Sequence, residues 1–396
     1  MKFAHLADCH IGSWRDPKLK DISTRAFIKA IDICIEKKVD FVLIAGDLFN
    51  TSLPGIEFIK EVTKKLKELK DKGIAVYVIA GSHDFSPSGK TMLDVLEHAD
   101  LFKNVVKGEE VDGKLKLKFT IDPKTGAKIT GMLGKRGGLE KSFYEELDRS
   151  IESEEGFKIF MFHSLLSELK PKDLEKVDSQ PMSLLPKHFD YYAGGHPHFV
   201  ENKKLDDYGI VAYPGPLFPN NFRELEKLSK GGFYIYDDGK LDWIPVQIYN
   251  THHISIDCNH KSAEQTTKEL MDDIANKEFF NTIVTIRVAG TLEAGNVSDI
   301  NFKDIFSALY DKSAYFVMKN TNALQSKEFE QINVDTGTAE ETEDKLIKEH
   351  LGQIKIGSDE EKLIKEFMNV LSSEKAEGEK VADFEKRLIE NLKSLD

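Results

Sequence analysis

Short apolar runs alternate with amphipathic stretches through the first hundred residues. KFAHLA (2–7), FVLIAG (41–46) and IAVYVIAG (74–81) are apolar almost throughout, as strands buried on both faces are. Between the first two, Ile22, Phe27, Ile31 and Ile35 recur every three to five residues. Ile59, Val62, Leu66 and Leu69 mark one face of a helix over 55–73 that stops at Gly73. A further helix is predicted over 88–99, with Ser88 as its cap. The order βαβαβα implies a buried, parallel sheet.

The pattern then changes. KLKLKFTID (114–122) and AKITGML (127–133) flank a PKTG turn and predict a hairpin. A helix over 140–152 leads to strands at 157–163, 190–195, 209–215, 231–237 and 240–249. Such a chain builds two sheets packed face to face with helices outside. From about residue 250, strands at 252–258, 281–290 and 314–320 alternate with helices at 262–276 and 301–312. DTGTAEET (335–342) reads as a linker. Beyond it, Phe384, Leu388, Leu392 and Leu395 share one helix face. The expected organisation is a domain over 1–250, a small α/β cap over 251–335, a linker over 336–342 and a helical segment over 343–396. That last segment has little core to join within the chain, which suggests docking onto a partner.

Composition narrows the function. At 396 residues and 40% hydrophobic, the chain has enough apolar surface for a sizeable core. No run of 18 apolar residues predicts a membrane span. The opening MKFAHLADCHIG meets Asp8 too early for a signal peptide. Three scattered cysteines, Cys9, Cys34 and Cys258, imply neither a disulfide framework nor a zinc ribbon, so a cytoplasmic location is expected. The net charge of −13 argues against binding nucleic acid by bulk charge, so any such role needs a local site.

Candidate chemistry is concentrated in five places: Asp8-Cys9-His10, Gly46-Asp47, Gly81-Ser82-His83-Asp84, His163, and Gly194-Gly195-His196-Pro197-His198. All lie at the ends of apolar strands, where ligand sites form in α/β sheets. The two-residue spacing of Asp8 and His10 places both on one face of a strand end, with Cys9 buried on the other. Glycines before Asp47, Ser82 and His196 permit sharp turns. Mixed carboxylate and imidazole ligands suit manganese, iron or zinc rather than calcium. A D-x-H triplet or a G-D pair alone is usually nothing, and a lone strand-end histidine is usually structural. Five clusters in this order are not a chance arrangement.

That order resembles the calcineurin-like metallophosphoesterases. HLADCHIG, AGDLFN (45–50) and YPGPLFPNNFRELEKLSKGGFYIYD (213–237) resemble, more closely, the SbcD-like (meiotic-recombination-eleven) double-strand-break repair nucleases. The resemblance is specific over residues 1–250. It implies a four-layer α/β/β/α sandwich with a small α/β, DNA-binding capping domain that positions DNA, and a C-terminal helical segment. It implies two manganese ions, with iron or magnesium as alternatives. One would take Asp8, His10, Asp47 and His198; the other would take Asp47, position 82, His163 and His196. His83, the clustered histidine left without a metal, would stabilise or protonate the leaving oxygen, and Asp84 would orient His83. The implied activities are 3′-to-5′ exonuclease on duplex ends and endonuclease on single strands. The implied partners are DNA ends, an SbcC-like ABC ATPase docked on the C-terminal helices, and a second copy of the chain. The location would be cytoplasmic and nucleoid-associated.

Two positions depart from the family pattern. Ser82 stands where the family has an asparagine ligand, and a serine hydroxyl is shorter and a poorer ligand. Asn50 stands where family members often have a histidine. Lys135, Arg136 and Arg223 are candidate DNA-phosphate contacts, with solvated surface charge an equal reading. Helices 55–72 and 89–99 are candidate dimer surfaces through Phe58 and Leu93, against ordinary burial. His252, His253 and His260 read as structural or surface residues. Two other functions fit the same residues: a phosphoesterase acting on phosphoproteins or cyclic nucleotides, and a DNA-end scaffold whose chemistry Ser82 has weakened.

Overall fold

The computed structural model describes residues 1–86, 89–135, 141–327, 360–373, 375 and 379–393. In chain order the first elements are β1 (Lys2–Leu6), α1 (Ile22–Glu36), β2 (Phe41–Ala45), α2 (Ile56–Asp71), β3 (Ala75–Ile79), α3 (Met92–His98) and β4 (Lys103–Asn104). There follow β5 (Gly108–Val111), β6 (Lys114–Leu117), β7 (Thr120–Ile121), β8 (Lys128–Gly131), α4 (Lys141–Glu145), β9 (Lys158–His163), β10 (Tyr191–Gly195), β11 (Glu201–Lys204), β12 (Ile210–Tyr213), α5 (Phe222–Leu228), β13 (Gly231–Asp237) and β14 (Lys240–Val246). Next come β15 (Asn250–Asp257), α6 (Ala263–Ala275), β16 (Thr282–Leu292), α7 (Phe302–Asp311) and β17 (Phe316–Ser326). The described chain closes with α8 (Glu360–Leu371) and α9 (Val381–Lys393).

Two six-stranded sheets dominate, with orders β14-β13-β1-β2-β3-β4 and β11-β12-β10-β9-β8-β7. β1, β2 and β3 are parallel, as are β8, β9, β10 and β12. Strand alternation explains the layers. Phe3, Phe41, Leu43, Tyr77 and Ile79 face the second sheet and pack against Ile129, Ile159, Met161, Tyr191 and Ala193. The alternate residues, Ala4, Leu6, Val42, Ile44, Val76 and Val78, face outward against α1 and α2. On the far side, Phe160, Phe162, Tyr192 and Tyr213 face outward beneath Tyr144, Ile151 and Met182. Each large side chain buried in these layers contributes roughly 1.5–3 kcal/mol. His5 joins the layer between the sheets as a neutral group: its Nδ1 is 2.9 Å from the Tyr191 hydroxyl, and burial drops its pKa to about 3.

Several predicted elements change form. The helix expected over 88–99 spans Met92–His98 and is capped by Thr91 in a capping box with Asp94; Ser88 lies outside the described residues. The long strand expected over 114–122 divides. β6 pairs with β5, an unpredicted hairpin, and β7 pairs with β8 across the PKTG turn. The helix expected over 140–152 is a five-residue α4 and a separate 3₁₀ turn at Arg149–Ser153. β11 and α5 went unpredicted. Phe58 of α2 and Leu93 of α3 are both buried in the core cluster.

The chain separates into two compact units. The first comprises Met1–Ser255, Ile274–Arg287 and Lys303–Asn320; the second comprises Ile256–Asp273, Val288–Phe302 and Thr321–Asp396. Within the second, Thr266 hydrogen-bonds Cys258 and Lys327 pairs with Glu293. There too, Arg387 grips Glu379 at two points, each 2.9 Å long. The predicted linker and Leu395 lie outside the described residues. No helix among the described residues is long and apolar enough to cross a membrane.

Candidate metal centre

The carboxyl ends of β1, β2, β3, β9 and β10 converge. The pleat of β9 puts Ile159, Met161 and His163 on the face toward the first sheet, which points His163 at the end of β2. β2 and β10 approach so closely that a Cβ on Gly195 would lie 2.1 Å from the Ala45 carbonyl oxygen. A Cβ on Gly81 would lie 2.2 Å from Asp47 Oδ1. Glycine is required at both positions.

Asp8 and His10 reach the site by a route the strand-spacing argument did not foresee. β1 ends at Leu6, and both residues lie beyond it with φ of +49° and +41°. Their amides donate to the carbonyls of Gly46 and Asp47, at 3.2 and 2.9 Å. Asp47, His196 and His198 also have positive φ, at +51°, +97° and +45°. Left-handed backbone is uncommon outside glycine and costs of order 1–3 kcal/mol per residue. Five such residues in one cluster mark a site the fold holds under strain.

The side chains meet closely. Asp47 Oδ2 lies 3.1 Å from His163 Nε2 and 3.6 Å from His10 Nε2. Asp8 Oδ1 lies 3.8 Å from His198 Nε2 and 3.9 Å from His163 Nε2. His10 and His198 bring their Nε2 atoms within 2.9 Å of each other. Three sets of donor atoms each fall within 4.8 Å: Asp8/His10/His198, Asp8/Asp47/His163 and His10/Asp47/His83. Two facing imidazole nitrogens need a shared proton or a cation between them, so this donor set fits divalent cations.

The orientation of each imidazole is also set. His163 Nδ1–H donates to the Ala45 carbonyl at 2.8 Å, which turns Nε2 toward Asp47. His198 Nδ1–H donates to Glu224 Oε1 at 3.0 Å, which turns Nε2 toward Asp8 and His10. Burial opposes the imidazolium of His163, but the carboxylates of Asp47 and Asp8 raise its pKa to about 10. Burial disfavours the charged form of Asp47 as well, but His163 and His10 hold it well below the usual carboxylate range. A cation would take over the role of these protons, so its binding would release them.

His83 sits at the edge, its ring perpendicular to that of His10 with centroids 4.7 Å apart. Its amide donates to Asp47 Oδ1 at 2.7 Å and its Nδ1–H to the Asn50 carbonyl at 2.9 Å. The expectation that Asp84 orients the His83 ring is corrected here: the Asn50 carbonyl does so. Asp84 instead accepts from the amides of Leu48, Phe49 and Gly81 at 3.0–3.2 Å and ties the β2 and β3 turns together. Burial and the Asp47 charge push its pKa up to about 7. Ser82 is buried between Gly81 and His83, beside Asp47. His196 is the most exposed of these residues, with its ring 5.3 Å from that of His163.

Glu224 was missed as a site residue. The one local signal was a capping pattern, Asn221 three residues before Glu224. Arg223, its neighbour on α5, is exposed. Arg136 lies outside the described residues, and Lys135 stacks 4.1 Å from the Phe143 ring. Cys9 is wholly buried in the core, as expected. His260 is exposed, and His253 is hydrogen-bonded to Ser229 and Thr285.

Comparison with known proteins bears on this site. The calcineurin-like phosphoesterase family model matches residues 1–199, which include every candidate ligand. Three similar curated proteins are each named DNA double-strand break repair protein Mre11. That of Archaeoglobus fulgidus is 25% identical over 327 residues, 77% of this chain and 72% of that protein. That of Methanocaldococcus jannaschii is 29% identical over 306 residues, 72% of each chain. That of Sulfolobus acidocaldarius is 26% identical over 393 residues, 95% of this chain and 97% of that protein.

Proposed function

This chain belongs to the calcineurin-like phosphoesterase family, and on that premise we propose that it is a manganese-dependent nuclease that processes DNA double-strand-break ends. The observation that carries the reading is the convergence of Asp8, His10, Asp47, His163 and His198 in overlapping donor sets, with His83 at their edge. The likeness to the three repair proteins, over 72–95% of this chain, supports DNA as the substrate.

In this reading Asp8, His10, Asp47 and His198 hold one cation. Asp47, Ser82, His163 and His196 hold the other. A cation pair supplies Lewis-acid activation of water and offsets the charge of a phosphodiester. That local charge is what lets a chain of net charge −13 bind DNA. His83, fixed through Nδ1 on Asn50, keeps Nε2 for the leaving oxygen and gives it a proton. Asp84 fixes the turn that carries His83. Arg223 and Arg136 contact DNA phosphates. The C-terminal helices dock an SbcC-like ATPase, and two copies of the chain form a dimer.

End-labelled duplex and single-stranded DNA test this, with and without manganese. The expected result is manganese-dependent 3′-to-5′ degradation of duplex ends and endonucleolytic cuts in single strands, both lost in His83→Ala. Rapid hydrolysis of small phosphodiesters with intact DNA would instead favour a phosphoesterase of another substrate class.

Ser82 supports a second reading, a DNA-end scaffold with weak chemistry. Ser82→Asn separates the two. A large gain in cleavage would favour the scaffold; a change of a few-fold would favour the nuclease as it stands.

A further inference from the structure

α5 faces the candidate metal centre on one side and is gripped on the other by residues of β15 and β16. The ligand assignment does not account for the second set. Glu224 accepts from His198 Nδ1–H at 3.0 Å, and the Asn220 amide donates to its other oxygen at 2.8 Å. Two residues on, Glu226 meets Arg287 at two points: Nε to Oε1 at 2.9 Å and Nη2 to Oε2 at 2.6 Å. The same guanidinium lies 5.2 Å from the centre of the Phe222 ring. Ser229, which ends the helix with a φ of +59°, is 3.0 Å from His253 Nε2. His253 Nδ1 is in turn 2.8 Å from Thr285 Oγ1.

Helix geometry explains why both ends of this arrangement are needed. Residues two apart on a helix point about 200° apart, so Glu224 and Glu226 face opposite ways. A helix of seven residues does not hold itself, because isolated helices shorter than about 12–15 residues are marginal in water. Buried Leu225 and the Asn221 cap, whose side-chain amide also donates to Glu224, anchor one side, and the contacts of Glu226 and Ser229 add a second restraint on where Glu224 stands. A two-point arginine–carboxylate pair restrains both position and rotation, and a bonded C-terminal residue restrains the far end.

We propose that α5 is a strut in which Glu224, Arg287 and His253 are positioning residues for the cation that His198 takes. Glu224 orients the His198 ring and keeps its Nε2 lone pair directed at the cation. Arg287 and His253 hold Glu224 in register through Glu226 and Ser229. This rests on His198 being a metal ligand. The effect is confined to one cation of the pair, because His163 takes its orientation from the Ala45 carbonyl and not from α5.

The test is a manganese titration of the full chain, with free manganese read by its electron paramagnetic resonance, alongside thermal unfolding of the metal-free protein. The wild type should show two binding steps and His198→Ala should lose one. Glu224→Ala should weaken that same step by about 10–100-fold and leave the other unchanged. Glu224→Gln, which keeps the acceptor oxygen, should weaken it less. Arg287→Ala should weaken it several-fold, and the exchange Glu226→Arg with Arg287→Glu should restore it. If Glu224→Ala does not fold, Glu224→Gln and Arg287→Lys carry the comparison. Loss of a step in His198→Ala with wild-type binding in the Glu224 and Arg287 variants would overturn the strut alone. Equal weakening of both steps would overturn it too, as general destabilisation. Two intact steps in His198→Ala would overturn the ligand assignment, and the strut with it.

Discussion

The two sheets deliver the same kinds of residue to the same place, but they are clad differently. The first is covered by α1 and α2, of 15 and 16 residues, whose apolar faces lie on Leu6, Val42, Ile44 and Val78. The second is covered by the five-residue α4 and by 3₁₀ turns at Arg149–Ser153, Ser167–Leu169 and Met182–Leu184, over an aromatic layer. The site residues differ in the same sense. Those of the first sheet sit in tight turns held by backbone: Asp8 and His10 on the carbonyls of Gly46 and Asp47, just past β2, and His83 on that of Asn50. Of those from the second sheet, His163 uses a backbone carbonyl, whereas His198 uses a side chain, Glu224, on a short helix. The turns of the first sheet are thus fixed by backbone bonds, whereas one ligand of the second, His198, depends on a side chain that α5 brings.

The strongest way to break this comparison is to remove the residue that both sheets share. Asp47 comes from the first sheet and meets His163 of the second. Asp47→Ala should abolish both manganese binding and cleavage, read by titration and by end-labelled DNA. His83→Ala should lower cleavage by about 10²–10⁴-fold while cation binding stays as in the wild type. If His83→Ala loses cations instead, His83 is a ligand and not the proton donor.

Core truncations sharpen the contrast in cladding. Leu66 of α2 is wholly buried, whereas Leu184 of the 3₁₀ turn is partly so. Leu66→Ala should cost about 2–5 kcal/mol in denaturant unfolding, and Leu184→Ala less than half of that. Equal costs would mean that the second sheet is covered as tightly as the first. The smallest effect belongs to a helix end: Thr91→Ala removes the cap of α3 and should cost about 1 kcal/mol. A loss near zero would mean that burial of Leu93 and Leu96 alone fixes this helix.

The same contrast explains what could be read in advance. β1, β2, β3, α1 and α2 follow from periodicity because each buries a face set by its own repeat. The glycine-flanked clusters from Asp8 to His198 are legible because few residue types bind a cation and few but glycine permit such close approach. β6 alternates Lys and Leu and falls within the predicted strand, but its partner β5, GEEV, is exposed throughout and carries no period. The 140–152 stretch has helical spacing, but its interior is divided by Asp148, which accepts from the Ser150 amide and starts a new turn. Asp84 was expected to orient His83, as the resemblance implies; its burial among three amides gives it a different role. Glu224 was hidden because its partner, His198, is 26 residues away and only the fold joins them.

The central claim is that the ends of the two sheets form one two-cation centre. Anomalous diffraction from crystals grown with manganese tests it most directly. The account predicts two peaks about 3.5–4 Å apart, with Asp47 between them, His198 beside one and His163 beside the other. A single peak, or peaks away from these residues, would contradict it.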